Sequence, residues 1–216
     1  MRGHARIWLL WVLPTAGYVL FWLWYTDLSG PMTSEEIESV VARLESGGAD
    51  PARIARLRRF MEEDKGRQFL MVNVIDMADQ PPELPATGAG ADADALMAHY
   101  MEHMYPELFS RACHPVLMGF AVNHAMDLVG LENAESWTRV ALMRYRSRRD
   151  LIEIATAPAF ADRHDYKLAA LDKTLAVPIE PGLYLSDPRL LLALVLLGAL
   201  LLVDRLTGWR RKAEPR

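Results

Sequence analysis

The chain has 216 residues, of which 51% are apolar and 24% charged, and a formal net charge of −4. These proportions exclude a disordered or collagen-like chain. The single cysteine, Cys113, excludes an intrachain disulfide and a cysteine-only zinc site.

Apolar residues concentrate at the two ends. Ile7 to Tyr25 carries no charge over 19 residues, enough at about 1.5 Å per residue to cross the roughly 30 Å core of a bilayer. Trp8 and Trp11 at one end and Trp22, Trp24 and Tyr25 at the other resemble aromatic belts. Pro14 is expected to bend this helix, as membrane helices tolerate. The long apolar core and the lack of a small-residue cleavage motif favour a span over a cleavable signal peptide. Residues 1–28 are thus expected to be a tail and a transmembrane helix.

Residues 33–66 read as a helical lead-in. Thr33-Ser34-Glu35-Glu36 is a capping-box pattern that opens a helix to about Ser46, closed by Gly47-Gly48. Asp50-Pro51 opens a second, with Ile54, Leu57 and Met61 on one face and Gly66 as its stop. Residues 67–182 form the next unit. Phe69 to Ile75 is a short apolar run and reads as a central strand. Residues 78–91, rich in Pro, Gly and Ala, read as a loop. Asp92 or Asp94 starts a helix to about Ala112, bent or interrupted at Pro106. Val116 to Ala125 reads as strand two and Trp137 to Tyr145 as strand three. Ser147 caps a helix to about Ala155; a further helix starts at Pro158 and runs to about Lys173; Leu175 to Ile179 is a fourth strand. The order β-α-β-β-α-β predicts an α+β fold, a ferredoxin-like plait with helices on one face of an antiparallel sheet. Apolar residues on both faces of strands one and two then require a second cover for the other sheet face, which a partner's sheet could supply.

Residues 187–207 read as a second transmembrane helix. Leu190 to Val203 is apolar over only 14 residues, so the expectation leans on its flanks: an Asp187-Pro188 start, Arg189 snorkelling, Asp204 and Arg205 reaching the far interface and Trp209 anchoring there. Residues 208–216 are a basic tail. Arg2 and Arg6 precede the first span; Arg205, Arg210, Arg211, Lys212 and Arg216 follow the second. By the positive-inside rule both termini are expected to be cytoplasmic, with the middle on the other side, in a bacterium the periplasm. The two tails hold 7 of the 24 basic and 2 of the 28 acidic residues, so the middle is acidic, which argues against a nucleic-acid partner.

Three stretches, Gly66-Arg-Gln-Phe-Leu-Met-Val-Asn-Val-Ile, Tyr145-Arg-Ser-Arg-Arg-Asp-Leu-Ile-Glu-Ile-Ala and His164-Asp-Tyr-Lys-Leu-Ala-Ala-Leu, resemble the dimeric α/β-barrel superfamily, in its branch of uncharacterised stand-alone domains. The resemblance covers roughly residues 52–180. It implies a homodimer whose sheets pack face to face, with a cleft beside each sheet. Cofactor-free monooxygenases, lactone isomerases, haem-binding peroxidases and ligand-sensing modules share that fold, so fold alone selects no function.

His99-Tyr-Met-Glu102-His103 is the most specific local pattern. On a helix, His99 and His103 lie one turn apart and could ligate one metal or a haem. The pattern also matches a zinc-peptidase motif, with Glu180 as a third ligand. Met97, Met101 and Met104 at helical spacing read as core packing against the sheet rather than a copper site, and their soft thioethers also suit an adaptable apolar pocket. Asn73 interrupts the first strand and either ties down a loop or points into the cleft. Arg139 and Tyr145 share one face of strand three, where Arg139 could meet a carboxylate or enolate or form an intersubunit salt bridge. His114 and His124 at the ends of strand two and Cys113 read as structural. Arg144, Arg146, Arg148 and Arg149 read as a solvated helix start. The functional expectation is a membrane-anchored module that binds a lipophilic small molecule or a partner membrane protein. Its alternatives are a cofactor-independent oxygenase or isomerase, with His99 or His103 as base beside Asn73, Arg139 and Tyr145, and a haem or metal protein. No phosphate loop, nucleophile elbow or C-x-x-C occurs in the chain.

Overall fold

A computed structural model describes residues 2–213, with side chains for 8–157, 160 and 163–206. The terminal residues invoked for orientation and anchoring, Arg2, Arg6, Trp209, Arg210, Arg211, Lys212 and Arg216, have side chains outside that set. The chain divides into two compact units, one of Met1–Thr26 with Gly182–Arg216 and one of Asp27–Pro181.

The first unit holds α1 (Arg2–Tyr25) and, in the numbering followed below, α7 (Pro188–Ala213). Pro14 lies inside α1 without ending it. The end of α1 packs on the start of α7. The Tyr18 hydroxyl donates to the Arg189 carbonyl (3.2 Å), and the Arg189 guanidinium donates to Thr26 Oγ1 (3.1 Å) and Asp187 and lies 5.3 Å over the Tyr25 ring. Among the described residues one helix segment, Trp8–Tyr25, is long and apolar enough to cross a membrane. This corrects the two-span expectation. The uncharged run of α7 is 14 residues, about 21 Å, and the Arg189 meant to extend it by snorkelling is held by Asp187 and Thr26. The inference that both termini are cytoplasmic rested on that second span.

The second unit begins with α2 (Ser34–Ser46) and α3 (Pro51–Glu62). The capping box is complete: Thr33 Oγ1 accepts from the Glu36 amide (3.2 Å) and Glu36 accepts from the Thr33 amide (2.7 Å). Asp50 caps α3. Ile37, Val40, Val41 and Met61 form a small core with Ile152. Then come β1 (Phe69–Met77), α4 (Ala93–Ser110), β2 (His114–Phe120), β3 (Arg139–Tyr145), α5 (Arg148–Ala155), α6 (Pro158–Ala169) and β4 (Leu171–Ile179). The sheet order is β2-β3-β1-β4 with every pair antiparallel, the ferredoxin-like plait expected from the element order. Pro106 sits inside α4 without interrupting it.

The arginine run from the end of β3 into α5 is not solvated. Arg144 is fully buried and donates to Gln68 (2.9 Å) and the Ala112 carbonyl (2.6 Å). Arg146 pairs with Asp150 (2.8 Å), Arg148 donates to the Phe60 carbonyl, and Arg149 binds Glu36 (2.8 Å) and Asp27 (3.2 Å). These bonds lash the lead-in helices to the start of α5.

Strand parity divides the sheet into two faces. Phe69, Met71, Asn73, Ile75 and Met77 of β1 face the helices, beside Tyr145, Met143, Ala141 and Arg139 of β3. The main core lies there, between the sheet and α4 and α6, around Leu96, Tyr100, Met104, Leu108, Phe160 and Tyr166. The opposite face carries Val72 and Val74 beside Leu142, Val140, Val177 and Leu175, with Leu117 next to Leu142. Among the described residues no helix of this unit covers it: Leu117, Leu175, Val177 and Ile179 are exposed.

Candidate ligand cavity

A cavity of about 240 Å³ opens between α4 and the helix-facing side of the sheet. Its floor is Asn73, Ile75 and Met77 of β1 with Arg139, Ala141, Met143 and Tyr145 of β3. Its roof is Met97, Tyr100, Met101, Met104, Tyr105 and Leu108 of α4; Met118 and Phe120 of β2 close one side and Lys167 of α6 another. The amphipathic spacing of α4 produces this roof, since positions 97, 101, 104 and 108 recur on one helical stripe. Most of the lining is thioether or aromatic, soft surface that adapts to apolar ligands.

The polar groups are few. Asn73 donates its amide nitrogen to the main-chain carbonyls of Met71 (3.2 Å) and Ala141 (3.1 Å), so its amide oxygen is what remains for a ligand. Arg139 stands at the rim, bound to Asp94 (2.6 Å) and lying 5.3 Å over the Phe120 ring. Its bond to Asp94 holds that carboxyl below the usual range. The expected salt bridge of Arg139 thus lies within the chain. Tyr145 stacks on Phe69 (5.2 Å, 9°). Burial raises the Tyr100 and Tyr145 phenols well above their ordinary range and lowers the Lys167 ammonium. Lys167 makes no ion pair among the described residues; its Nζ lies 5.7 Å over the Tyr100 ring.

Asn73, Arg139 and Tyr145 therefore come together, whereas His99 and His103 do not join them. His99 points from α4 to the α6 side. His99 packs on Tyr166 (4.4 Å between ring centres), and its Nδ1 lies 3.6 Å from Glu102, a charge that also meets Arg163 (3.5 Å). His103 Nε2 is buried without a hydrogen-bond partner among the described residues. Neither lines the cavity, since one turn of helix separates positions that differ by four and both lie off the methionine stripe. Glu180 is bound to Lys65 (3.2 Å) and Arg67 (3.1 Å). Among the described residues, no three His, Cys, Asp or Glu side chains converge to hold a metal. Cys113 is buried, and burial pushes its thiol up to about 11. His114 Nδ1 donates to the Pro115 carbonyl (2.9 Å), and His124 lies exposed beyond β2.

Sequence reasoning missed Tyr100, sandwiched between the two conspicuous histidines, and Lys167. The three-residue step from His164 to Lys167 was the available signal, since it puts both near one face of α6.

No known family profile matches this sequence, and no curated protein does. Solved structures do. A protein of unknown function from Rhodopseudomonas palustris is 17% identical with a TM-score of 0.50, over 62% of this chain and 95% of its own. An Arabidopsis thaliana protein is 18% identical with a TM-score of 0.35, over 54% and 97%. A dimeric protein of unknown function and ferredoxin-like fold from Bacteroides fragilis is 13% identical with a TM-score of 0.32, over 53% and 96%. The likeness to the Rhodopseudomonas protein shows the fold of the plait, and this chain is similar to these proteins in that respect.

Proposed function

We propose that this protein is a membrane-anchored module that binds a small lipophilic molecule in the cavity under α4 and acts as a homodimer joined through its open sheet face. The cavity carries the reading: an apolar, methionine-roofed space with a few polar groups is the usual form of a small-molecule site. Its volume of about 240 Å³ lies just below the roughly 300–1,000 Å³ of drug-sized pockets, so the ligand is small. The α1 helix is the anchor, crossing with Arg2 and Arg6 on the cytoplasmic side and placing the plait on the other, while α7 packs on α1. A tether to the bilayer keeps the cavity among lipophilic molecules partitioned there. The valine and leucine face of the sheet, too apolar to stay in water, is the surface on which a second copy sits.

Native mass spectrometry of the detergent-solubilised full chain tests the ligand reading. A small-molecule adduct is expected on the wild type, and Met101→Trp, which fills the cavity, is expected to remove it. An identical adduct on both proteins would place the ligand elsewhere and defeat the reading.

A further inference from the structure

Three polar groups of this cavity have no hydrogen-bond or ion-pair partner among the described residues, and they lie on neighbouring parts of its wall. Among the described residues Lys167 has no carboxylate paired with it, whereas Arg139 has Asp94, Lys173 has Asp76 and Lys65 has Glu180. The Lys167 Nζ lies over the face of the Tyr100 ring, 5.7 Å from the ring centre. Tyr100 and Tyr145 are 6% and 7% exposed, yet neither hydroxyl bonds to a described protein group, and both residues line the cavity. Buried hydroxyls ordinarily find a hydrogen-bond partner, and an unpaired ammonium in apolar surroundings is costly. The two phenols are close enough that ionising one opposes ionising the other, so both act as neutral donors. An ammonium and two hydroxyls can all donate to one acceptor-rich group, and a carboxylate offers about four lone-pair sites. Burial already destabilises the bare Lys167 charge, and an anion placed beside it reverses that loss.

We propose, building on the cavity reading above, that the ligand is a small lipophilic carboxylic acid, its carboxylate held by Lys167 with the hydroxyls of Tyr100 and Tyr145 and its apolar body lying against Met97, Met101 and Met104. One cation suits a monoanion. The small volume and the thioether wall suit a medium-length chain or a single substituted ring. Asn73 lies on the β1 floor beneath the same space.

The test compares octanoate with octanol, which has the same chain and no charge, by calorimetric titration of the full chain in nanodiscs, with empty nanodiscs as reference. Wild type is expected to bind octanoate more tightly than octanol. Lys167→Met is expected to weaken octanoate roughly thirtyfold or more and to leave octanol unchanged or tighter. Lys167→Arg is expected to retain octanoate, and Tyr145→Phe to weaken it less than Lys167→Met does. If octanol binds as well as octanoate, or if Lys167→Met binds octanoate as the wild type does, the carboxylate assignment is overturned while the cavity reading stands. If neither compound binds wild type and the Met101→Trp protein retains the copurifying adduct, both fall.

Discussion

At position 66 only a glycine fits. Its φ is +67°, and a Cβ there would come within 2.6 Å of the Gly30 carbonyl carbon and 2.7 Å of the Pro31 nitrogen. Gly66→Ala is therefore expected to cost at least about 2 kcal/mol, from the strained backbone and a clash that backbone atoms cannot yield to. The denaturation midpoint of the full chain measures it, and an unchanged midpoint would contradict the close approach. The sequence shows Gly66 as a stop signal but not the neighbour it touches, because Gly30 lies far off in the chain. The arginines from the end of β3 into α5 were illegible for a related reason. Their spacing resembles a solvated helix start, and nothing local reveals that Ala112 and Phe60 present carbonyls to Arg144 and Arg148. Asn73, Arg139 and Tyr145 were legible as candidates for the cleft, beside a loop tie for Asn73 and a salt bridge for Arg139, because strand parity alone puts each on one sheet face. Lys167 was not, since its side chain reaches the cavity from a helix whose rotation sequence leaves open.

The first helix of the plait unit is fastened by local and distant bonds together, and acid should loosen it. The Arg149 side chain, then the Thr33 amide, hold the Glu36 carboxyl down from its ordinary 4.5 to about 2. A depressed carboxylate contributes stability that is complete above the ordinary value and fades as pH falls towards the folded one. Wild type is thus expected to lose part of its stability between pH 4.5 and 2, with Glu36→Gln less stable at neutral pH and flatter across that window. Equal pH slopes would contradict the latch. Thr33→Ala removes the local half of the cap and is expected to cost about 1 kcal/mol. Helix starts were plain in the sequence because caps are local. Strand ends were less so. The expected strand two ran on to Ala125, but β3 begins at Arg139 opposite Phe120, so the regular ladder stops there and only the Ala121 amide to the Thr138 carbonyl (2.9 Å) and the Ala125 amide to the Glu135 carbonyl (2.8 Å) continue it. The expected last helix ran to Lys173, but Leu171 and Lys173 pair with Met77 and Asp76 and belong to β4. In both cases partner availability overrode the local pattern.

The whole molecule joins an apolar helix unit to a plait with one bare face, and each half makes a prediction. Cys113 is the only cysteine, buried and with its thiol pushed up to about 11, so it is a silent background for labelling. Val129→Cys adds a thiol at a position 92% exposed. A membrane-impermeant maleimide is expected to label it on intact bacterial cells; labelling only after lysis would place the plait on the cytoplasmic side. The plait itself was legible, since alternating element types and strands apolar on both faces point to a sheet that needs a second cover. The two-span topology was misread because flanking charges were counted as able to lengthen a 14-residue run, although Arg189 is occupied by Asp187 and Thr26. Light scattering on the detergent-solubilised full chain, with detergent mass subtracted, tests most directly whether the bare face joins two copies. Wild type is predicted to have twice the 24.4 kDa chain mass, and Leu142→Glu, at the centre of that face, the single-chain mass. A folded wild type at the single-chain mass would contradict the account.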